Sequence, residues 1–378
     1  MESRFLQIHT LTSYTAALLN RDDTGLSKRL PYGGALRTRI SSQCLKRHWR
    51  VADDPHALDR IDGSIAAFRS RDLVTQRVID PLRRRFTPEV VAALEPEFQV
   101  AVYGEKGKEK RGRQTLLFGA TELEWLAAQA EQLAEQAAGS PDAAAIIAEH
   151  WRGKRGSREF LANIKAMRES ATLPAGLTSA LFGRMVTSDP EANITAAVHV
   201  AHSFTVHKEE PEIDYFTAVD DLSTDEPGAD TIQDTEITSG LFYGYVVIDV
   251  PGLINNLGND YTLARDVIHH FIYLVAEVSP GAKLGSTAPY GRASFMLAET
   301  GDRQPRSLAE AFRTPCDPQL GSAIEALSAH LQALDEAYAT GEKRRHMCIA
   351  DAALPRSDKG TLAELAEWAR SLPVAGTS

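Results

Sequence analysis

Residues 20–50 read NRDDTGLSKRLPYGGALRTRISSQCLKRHWR, and this stretch contains a turn, a Gly-Gly loop, a strand and a helix in close succession. Arg37 and Arg39 stand two residues apart, so on a strand their side chains project from one face. Ser41 is a favourable N-cap residue, and an apolar stripe at a spacing of four follows it. The stretch therefore predicts a strand that runs directly into a helix.

The same stretch is strongly basic, with eight Lys and Arg residues against two acids. Strand arginines, a helix N-terminus and polar helix residues that converge on one place are typical of a phosphate-binding surface. A solvated basic surface without a ligand is the alternative interpretation. The predicted RNA-binding residues of this stretch are Arg21, Lys28, Arg37, Arg39, Ser41, Gln43, Lys46, Arg47 and Arg50.

Seven short motifs follow one another along the chain. They are NRDD (20–23), YGG (32–34), RISSQCLKR (39–47), GRM (183–185) followed by TS, YFTAVDDL (215–222), TSGLFYGY (238–245) and PGAK (280–283). In this order they make the chain similar to the CasC family, the backbone subunits (Cas-seven family) of the type I-E CRISPR surveillance complex Cascade. The common order of the motifs, more than any single one, carries this resemblance.

The pattern of strands, a basic helix and a helical insert indicates an α+β protein. The resemblance implies a modified RNA-recognition-motif (ferredoxin-like) palm with a helical fingers insertion and a projecting thumb. The implied boundaries are palm at 1–52, 183–204 and 241–378, fingers at 53–182 and thumb at 205–240.

The resemblance also implies roles for residues outside the basic stretch. Arg184 would hold phosphate and Met185, matching a methionine that interrupts base stacking in the family, would wedge between bases. Lys283 would contact the RNA backbone, although Leu284 replaces the glutamine that follows it in the family. An apolar island in the thumb contacts RNA or a neighbour, or forms a small core of its own; its residues are Tyr215, Phe216, Thr217 and Val219.

Charge along the chain is uneven. The 378 residues carry a net charge of −10, and residues 205–240 alone hold eleven acids and one base. Salt screens charges beyond about 8 Å, so a distant acidic segment need not repel a ligand of the basic stretch. Asp220 and Asp221 of this segment are predicted to contact a neighbouring subunit through its basic surface.

The composition predicts a cytoplasmic protein. Its three cysteines have no paired or metal-like spacing, which indicates a reducing compartment. The first residues lack an apolar signal core, and no segment is apolar and long enough to predict a membrane anchor.

Two candidate catalytic or metal sites have a simpler structural interpretation. Asp22 and Asp23 could hold a divalent metal, but no further acidic or histidine cluster lies near them, so a turn-capping role is favoured. His199, His202 and His207 have a zinc-like spacing, yet the first two point to opposite faces of a strand. We therefore predict no metal, no cofactor and no enzymatic activity.

The resulting prediction is a non-catalytic subunit that binds CRISPR guide RNA and oligomerises along it in a type I-E Cascade complex. The guide would pair with target DNA, and the predicted partners are copies of the chain, other Cascade subunits and no membrane. Two alternatives stay open at the level of sequence: a guide-bound, metal-dependent RNase that uses Asp22 and Asp23, and an oligomeric scaffold that needs no RNA.

Overall fold

The computed structural model describes residues 4–151, 165, 167–169, 173, 175–186, 190–217 and 232–374. Val219, Asp220 and Asp221 lie outside the described residues, as do the side chains of Phe216 and Thr217. The chain divides into two compact units: a first unit formed by Met1–Ile61, Val198–Pro251 and Ala264–Ser378, and a second unit formed by Asp62–Ala197 and Gly252–Leu263.

The strands, in chain order, are β1 (Phe5–Ala17), β2 (Arg29–Tyr32), β3 (Ala35–Ile40), β4 (Ala67–Ser70), β5 (Leu116–Gly119), β6 (Val198–Val200), β7 (Ser203–Thr205), β8 (Glu212–Thr217), β9 (Ile232–Asp249), β10 (Ala293–Gly301), β11 (Lys343–Cys348) and β12 (Ser357–Lys359). The α-helices of the described residues are α1 (Ser42–Arg50), α2 (Pro88–Tyr103), α3 (Ala120–Ala137), α4 (Ala143–Trp151), α5 (Leu177–Phe182), α6 (Val250–Asn256), α7 (Tyr261–Glu277), α8 (Leu284–Thr287), α9 (Leu320–Tyr338) and α10 (Leu362–Arg370).

A ten-stranded sheet organises the first unit. Its order is β12-β11-β10-β1-β9-β7-β3-β2, with β6 and β8 also paired to β9. Every pairing is antiparallel except that of β11 with β12. This mixture of helices with a large, mostly antiparallel sheet agrees with the predicted α+β class.

Apolar helix faces cover the sheet of the first unit. Leu327 and Leu331 of α9 are fully buried in one cluster with Leu11 of β1. Phe271 of α7 is also fully buried and meets the ring of Trp49 edge-on at 5.3 Å between ring centroids. Burial of such side chains contributes about 1.5–3 kcal/mol each, so helix α1, which carries Trp49, is held by its packing.

The second unit has its own apolar core, built by α2, α3, α4 and the short β4–β5 pair. A π-helix, Val74–Ile79, is followed by a short 3₁₀ helix, Asp80–Arg84, whose second residue is Pro81. Proline cannot continue the hydrogen-bonding pattern of a helix, which explains the change at this position.

The compact units divide the chain at other positions than the predicted palm and fingers boundaries. The units meet in sequence at Ile61 and Asp62 and again at Ala197 and Val198. Residues 183–197 therefore belong to the second unit together with most of the predicted fingers, because Arg184 is bridged to Ile194 and ion-paired to a residue of α3.

Candidate nucleic-acid interface

Ser41 caps helix α1 as predicted. Its Oγ accepts the backbone N–H of Cys44 at 3.3 Å, and its own N–H donates to Asn20 Oδ1 at 2.9 Å. The Asn20 bond ties the NRDD turn to the start of the helix. The apolar stripe predicted after Ser41 consists of Leu45 and Trp49, and Leu45 is only partly buried against the cluster around Tyr14 and Ile40.

Basic side chains from a loop, a strand and a helix converge on His202. Arg39 Nη1 lies 2.9 Å from His202 Nδ1. Burial lowers the pKa of His202, and the positive charges of Arg39, Lys28 and Lys46 lower it further. The imidazole is therefore neutral at pH 7 and accepts a hydrogen bond from Arg39. Burial raises the pKa of the Cys44 thiol, and the positive charges of Lys28 and Arg47 act in the opposite direction and lower it.

We call Lys28, Arg39, Lys46 and Arg47 the cationic cluster. Arg47 and Gln43 are exposed on α1, whereas Lys46 and Arg50 are half-buried. Arg21 is exposed in the preceding turn, where it forms an isolated bridge with Ser27. The structure thus brings cationic groups of a loop, a strand and a helix together at one place.

Arg37 is placed differently from the prediction. Its side chain is fully buried, and its guanidinium donates to the carbonyl oxygens of Thr205 and Phe312, both at 2.9 Å. Gly33 packs closely against the backbone of Arg313. A Cβ at position 33 would lie 1.5 Å from the carbonyl oxygen of Arg313. The prediction that Arg37 contacts phosphate is therefore wrong; its side chain joins β3 to β7 and to the end of the 3₁₀ helix Ala309–Phe312.

Asp22 closes the NRDD turn. Its Oδ1 accepts the Thr24 hydroxyl at 2.7 Å and the backbone N–H groups of Thr24 and Leu26 at 2.9 and 3.1 Å. The hydrogen bond from the Thr24 hydroxyl holds the pKa of this carboxyl below its usual range. These bonds match the favoured turn-capping interpretation of Asp22.

The three histidines of the zinc-like spacing have separate surroundings. His207 is buried, with Nδ1 2.7 Å from the carbonyl oxygen of Lys208 and Nε2 accepting the N–H of Leu241 at 3.2 Å. His202 binds Arg39, and His199 is exposed on β6. Both ring nitrogens of His207 are thus used by the backbone.

Arg184 is the second predicted phosphate ligand that the structure buries. Its Nη1 lies 2.5 Å from Glu122 Oε2, and its Nε donates to the carbonyl oxygen of Ala192 at 2.8 Å. Glu122 is fully buried on α3 and also pairs with Arg168. A direct phosphate contact by Arg184 is therefore contradicted, because its guanidinium is buried and ion-paired inside the second unit.

Met185, the next residue, is exposed over 68% of its surface. It lines an open groove of about 380 Å³ in the second unit, whose other walls include Arg69, Gln114 and Phe182. No local sequence pattern marks Arg69 or Gln114 as part of a site. Only the β4–β5 pairing brings these residues beside Met185.

The predicted thumb starts from a two-stranded hairpin whose base is anchored by Arg29. Arg29 Nε lies 2.7 Å from Glu209 Oε2, and its Nη2 lies 2.7 Å from Glu236 Oε1. Tyr215 of β8 is exposed over 68% of its surface, and Phe216 and Thr217 continue that strand. Lys283 is exposed and donates through Nζ to Thr235 Oγ1 of β9 at 3.0 Å.

Comparison with known proteins identifies the family. A sequence model described as CT1975-like protein matches residues 6–370, so the chain belongs to the CT1975-like protein family. A solved chain from a "CRISPR RNA-guided surveillance complex, pre-nicking" has a TM-score of 0.79 at 24% identity, covering 97% of this chain and 100% of that chain. Another, from a "CRISPR RNA-guided surveillance complex", has a TM-score of 0.59 at 20% identity, covering 97% and 98%. A search of curated proteins found no match.

At these identities the two solved chains show that the fold is shared over almost the full length of the chain. In the part of the chain that the structure describes, no helix is long and apolar enough to cross a lipid bilayer.

Proposed function

We propose that this chain is a non-catalytic subunit that binds CRISPR RNA in the backbone of a cytoplasmic Cascade surveillance complex of type I-E. The observation that carries the proposal is the fold shared, at a TM-score of 0.79 over 97% of the chain, with a chain of a CRISPR RNA-guided surveillance complex. The seven ordered motifs support the subtype and the division into an RNA-recognition-motif palm, fingers and thumb.

The cationic cluster is the proposed phosphate site. Lys28, Arg39 and Lys46 stand close enough to depress the pKa of one histidine, so their fields add at one place. A phosphate that enters there would relieve the mutual repulsion of these cations. Because such contacts involve charge and no base edges, they bind guide RNA of any sequence.

Met185 is the proposed wedge. Its thioether side chain is exposed, while the adjacent Arg184 is anchored by Glu122 inside the second unit. An unbranched, polarizable apolar side chain on an anchored segment can adapt its shape to the space between two bases. Copies of the chain would repeat this at regular intervals along the guide, which would leave short ordered runs to pair with target DNA.

The proposal is tested by measuring guide binding of the double variant Lys28→Ala/Lys46→Ala. We expect weaker binding that is about equal for unrelated spacer sequences, with the slope of log affinity against log salt reduced by about 0.7 per lost contact. The matched control is Lys343→Ala/Lys359→Ala, which removes the same charge from strands β11 and β12 at the opposite edge of the sheet from β2.

Equal loss of affinity in both double variants would show that net charge, and not the cationic cluster, governs binding. Purified complex without nucleic acid would refute guide binding and support the scaffold alternative. Target RNA cut at regular intervals, with cutting abolished by Asp22→Ala, would refute the non-catalytic role.

A further inference from the structure

Three potential metal ligands meet in the first unit at a place to which the proposed function assigns no role. Asp54 and His56 lie in the loop after α1, and Glu277 is the last residue of α7. One ligand atom from each lies within 4.8 Å of the other two, and all three residues are half-buried. Among the described residues, no other three His, Cys, Asp or Glu side chains converge in this way.

The ring of His56 is held in a fixed orientation. It stacks on Tyr273 with 3.7 Å between ring centroids and an angle of 1° between the planes. Its Nδ1 is buried and has no hydrogen-bond partner among the described residues, while Asp54 Oδ1 lies 3.5 Å away. A buried polar atom left without a partner is unfavourable, so an occupant that uses this nitrogen is favoured.

The backbone holds the first two ligands together. Asp54 Oδ1 accepts the backbone N–H of His56 at 2.8 Å, and the backbone carbonyl oxygen of Asp54 accepts the N–H of Ala57 at 2.9 Å. Glu277 forms an ion pair with Arg292 at 3.4 Å, but the Arg292 side chain is 80% exposed. An ion pair that exposed is weak, so Glu277 can turn away from Arg292 at low cost.

We propose that Asp54, His56 and Glu277 bind one divalent transition-metal ion of the zinc class. One imidazole and two carboxylates suit Zn²⁺ or Co²⁺ better than Mg²⁺ or Ca²⁺, which prefer oxygen alone. Bonds of about 2.0–2.2 Å place tetrahedral ligands about 3.3–3.6 Å apart, so the side chains must close by roughly 1 Å. Water completes the coordination, and the ion acts as a structural link.

The ion would join the loop after α1 to the end of α7. These two helices already meet through Trp49 and Phe271. Because α1 carries Lys46 and Arg47 of the cationic cluster, the ion would hold the helix that presents them. The site itself does not depend on the proposed RNA binding, since none of its three ligands belongs to that cluster.

The test is metal titration of the full chain, purified without a histidine tag and stripped with chelator. We expect Co²⁺ to produce visible d–d absorption that saturates at one ion per chain, and Zn²⁺ to displace it while equimolar Mg²⁺ does not. His56→Gln and Glu277→Gln should each weaken binding at least about 10-fold, which is the scale known for the supporting residues of metal sites. The control His330→Gln replaces a half-buried histidine of α9 and should bind as the wild type does.

Asp54→Asn provides a variant that retains Oδ1 for the turn and loses only the carboxylate charge. Weaker binding by this variant with an unchanged far-ultraviolet circular dichroism spectrum would support the site independently of any damage to the His56 stack. Absence of saturable Co²⁺ binding by the wild type, equal binding by all four variants, or displacement by equimolar Mg²⁺ would each overturn the proposal.

Discussion

Arg184 and Met185 are adjacent in the chain and have opposite surroundings. The side chain of Arg184 is 2% exposed and pairs with the fully buried Glu122, whereas Met185 is 68% exposed. Burial of a charge is tolerated only when it is paired and hydrogen-bonded, and an exposed methionine contributes little to folding. Within a single motif, Arg184 therefore stabilises the fold, and Met185 is exposed where the proposed base contact would be made.

We expect Met185→Asp to leave the free energy of unfolding within about 0.5 kcal/mol of the wild type, because the side chain is on the surface. Assembly on guide RNA should be impaired, since a carboxylate beside phosphates is repelled. Urea denaturation of the isolated chain and gel-shift assays of the assembled complex measure the two effects. Unfolding of the aspartate variant would show that Met185 is a core residue and not a wedge.

Arg184→Met is the complementary variant to Met185→Asp, because it changes the buried residue of the pair. It leaves the Glu122 carboxylate buried with Arg168 as its remaining ion-pair partner among the described residues. We expect a loss of about 3 kcal/mol in the free energy of unfolding. A stability equal to that of the wild type would contradict the structural role given to this ion pair.

At the scale of elements, Arg29 ties the β8–β9 hairpin to strand β2. Arg29 on the edge strand β2 pairs with Glu209 before β8 and with Glu236 on β9. The carboxylates are 9% and 5% exposed, so most of their compensation comes from this guanidinium. Two of the acids of the predicted thumb are thus neutralised within the chain and are not available to a neighbouring copy.

We expect Arg29→Gln to loosen the base of the hairpin, because it leaves two nearly buried carboxylates without their cation. The loss in the free energy of unfolding should be about 2 kcal/mol, since Arg29 itself is one-quarter exposed. Hydrogen exchange should show lower protection for the amides of β8 and the paired part of β9. Arg21→Gln, which removes an exposed arginine from the preceding turn, is the control and should leave that protection unchanged.

At the scale of the whole molecule, a buried polar network joins the central strands of the first unit. His9 of β1 and Glu299 of β10 are both fully buried, with His9 Nε2 3.0 Å from Glu299 Oε2. Arg306 and Arg344 also bind Glu299, and the Tyr243 hydroxyl lies 2.9 Å from His9 Nδ1. Burial lowers the pKa of His9, so the ring is neutral, with Nε2–H donating to the carboxylate.

This network predicts acid sensitivity. The unfolded chain binds a proton at His9 near pH 6.5 and the folded chain does not, so stability falls as the pH drops below that value. Although burial opposes ionisation, hydrogen bonds from His9 and Arg306 hold the pKa of Glu299 below its usual range. Its contribution is present above the unfolded value of about 4.3 and is lost as the pH falls further.

Urea denaturation midpoints measured from pH 7.5 to 5 test whether stability falls as the pH drops. His9→Gln keeps a donor for Glu299 and an acceptor for Tyr243 but cannot take up a proton. It should reduce the loss of stability below pH 6.5 by up to about 1.4 kcal/mol per pH unit. The control is His199→Gln at an exposed position. Equal pH profiles for wild type and His9→Gln would refute this explanation.

Assembly of several copies of the chain is also a property of the whole molecule. Residues 205–240 hold eleven acids, while residues 20–50 hold eight Lys and Arg residues against two acids. A contact between these unlike surfaces of two copies would be head-to-tail and would generate an open stack where its rotation does not close a ring. We expect Asp220→Lys/Asp221→Lys to slow assembly at low salt and to leave the isolated chain folded, as light scattering and circular dichroism would report. Wild-type assembly rates in this variant would mean that the acidic segment serves only solvation.

Local patterns in the sequence were sufficient for several elements of the first unit. The N-cap at Ser41, the helix after it and the turn closed by Asp22 follow from interactions within a few residues, and all are present. The extent of strands was less predictable, because β9 begins at Ile232, nine residues before its apolar core at Leu241. Its polar first half is a strand because β8 pairs with it, and that pairing is set by the fold.

The sequence by itself determined the α+β class, the basic stretch and the order of motifs that indicates the family. Only the tertiary structure decided which cations are available to a ligand, since Arg37 and Arg39 have the same local pattern. The Arg37 guanidinium donates to the carbonyl oxygen of Phe312, which lies far away in sequence. Arg39 instead lies beside His202, near Lys28 and Lys46. The physical reason is that the cost of burying a charge depends on the partners brought to it, and those partners come from distant segments of the chain.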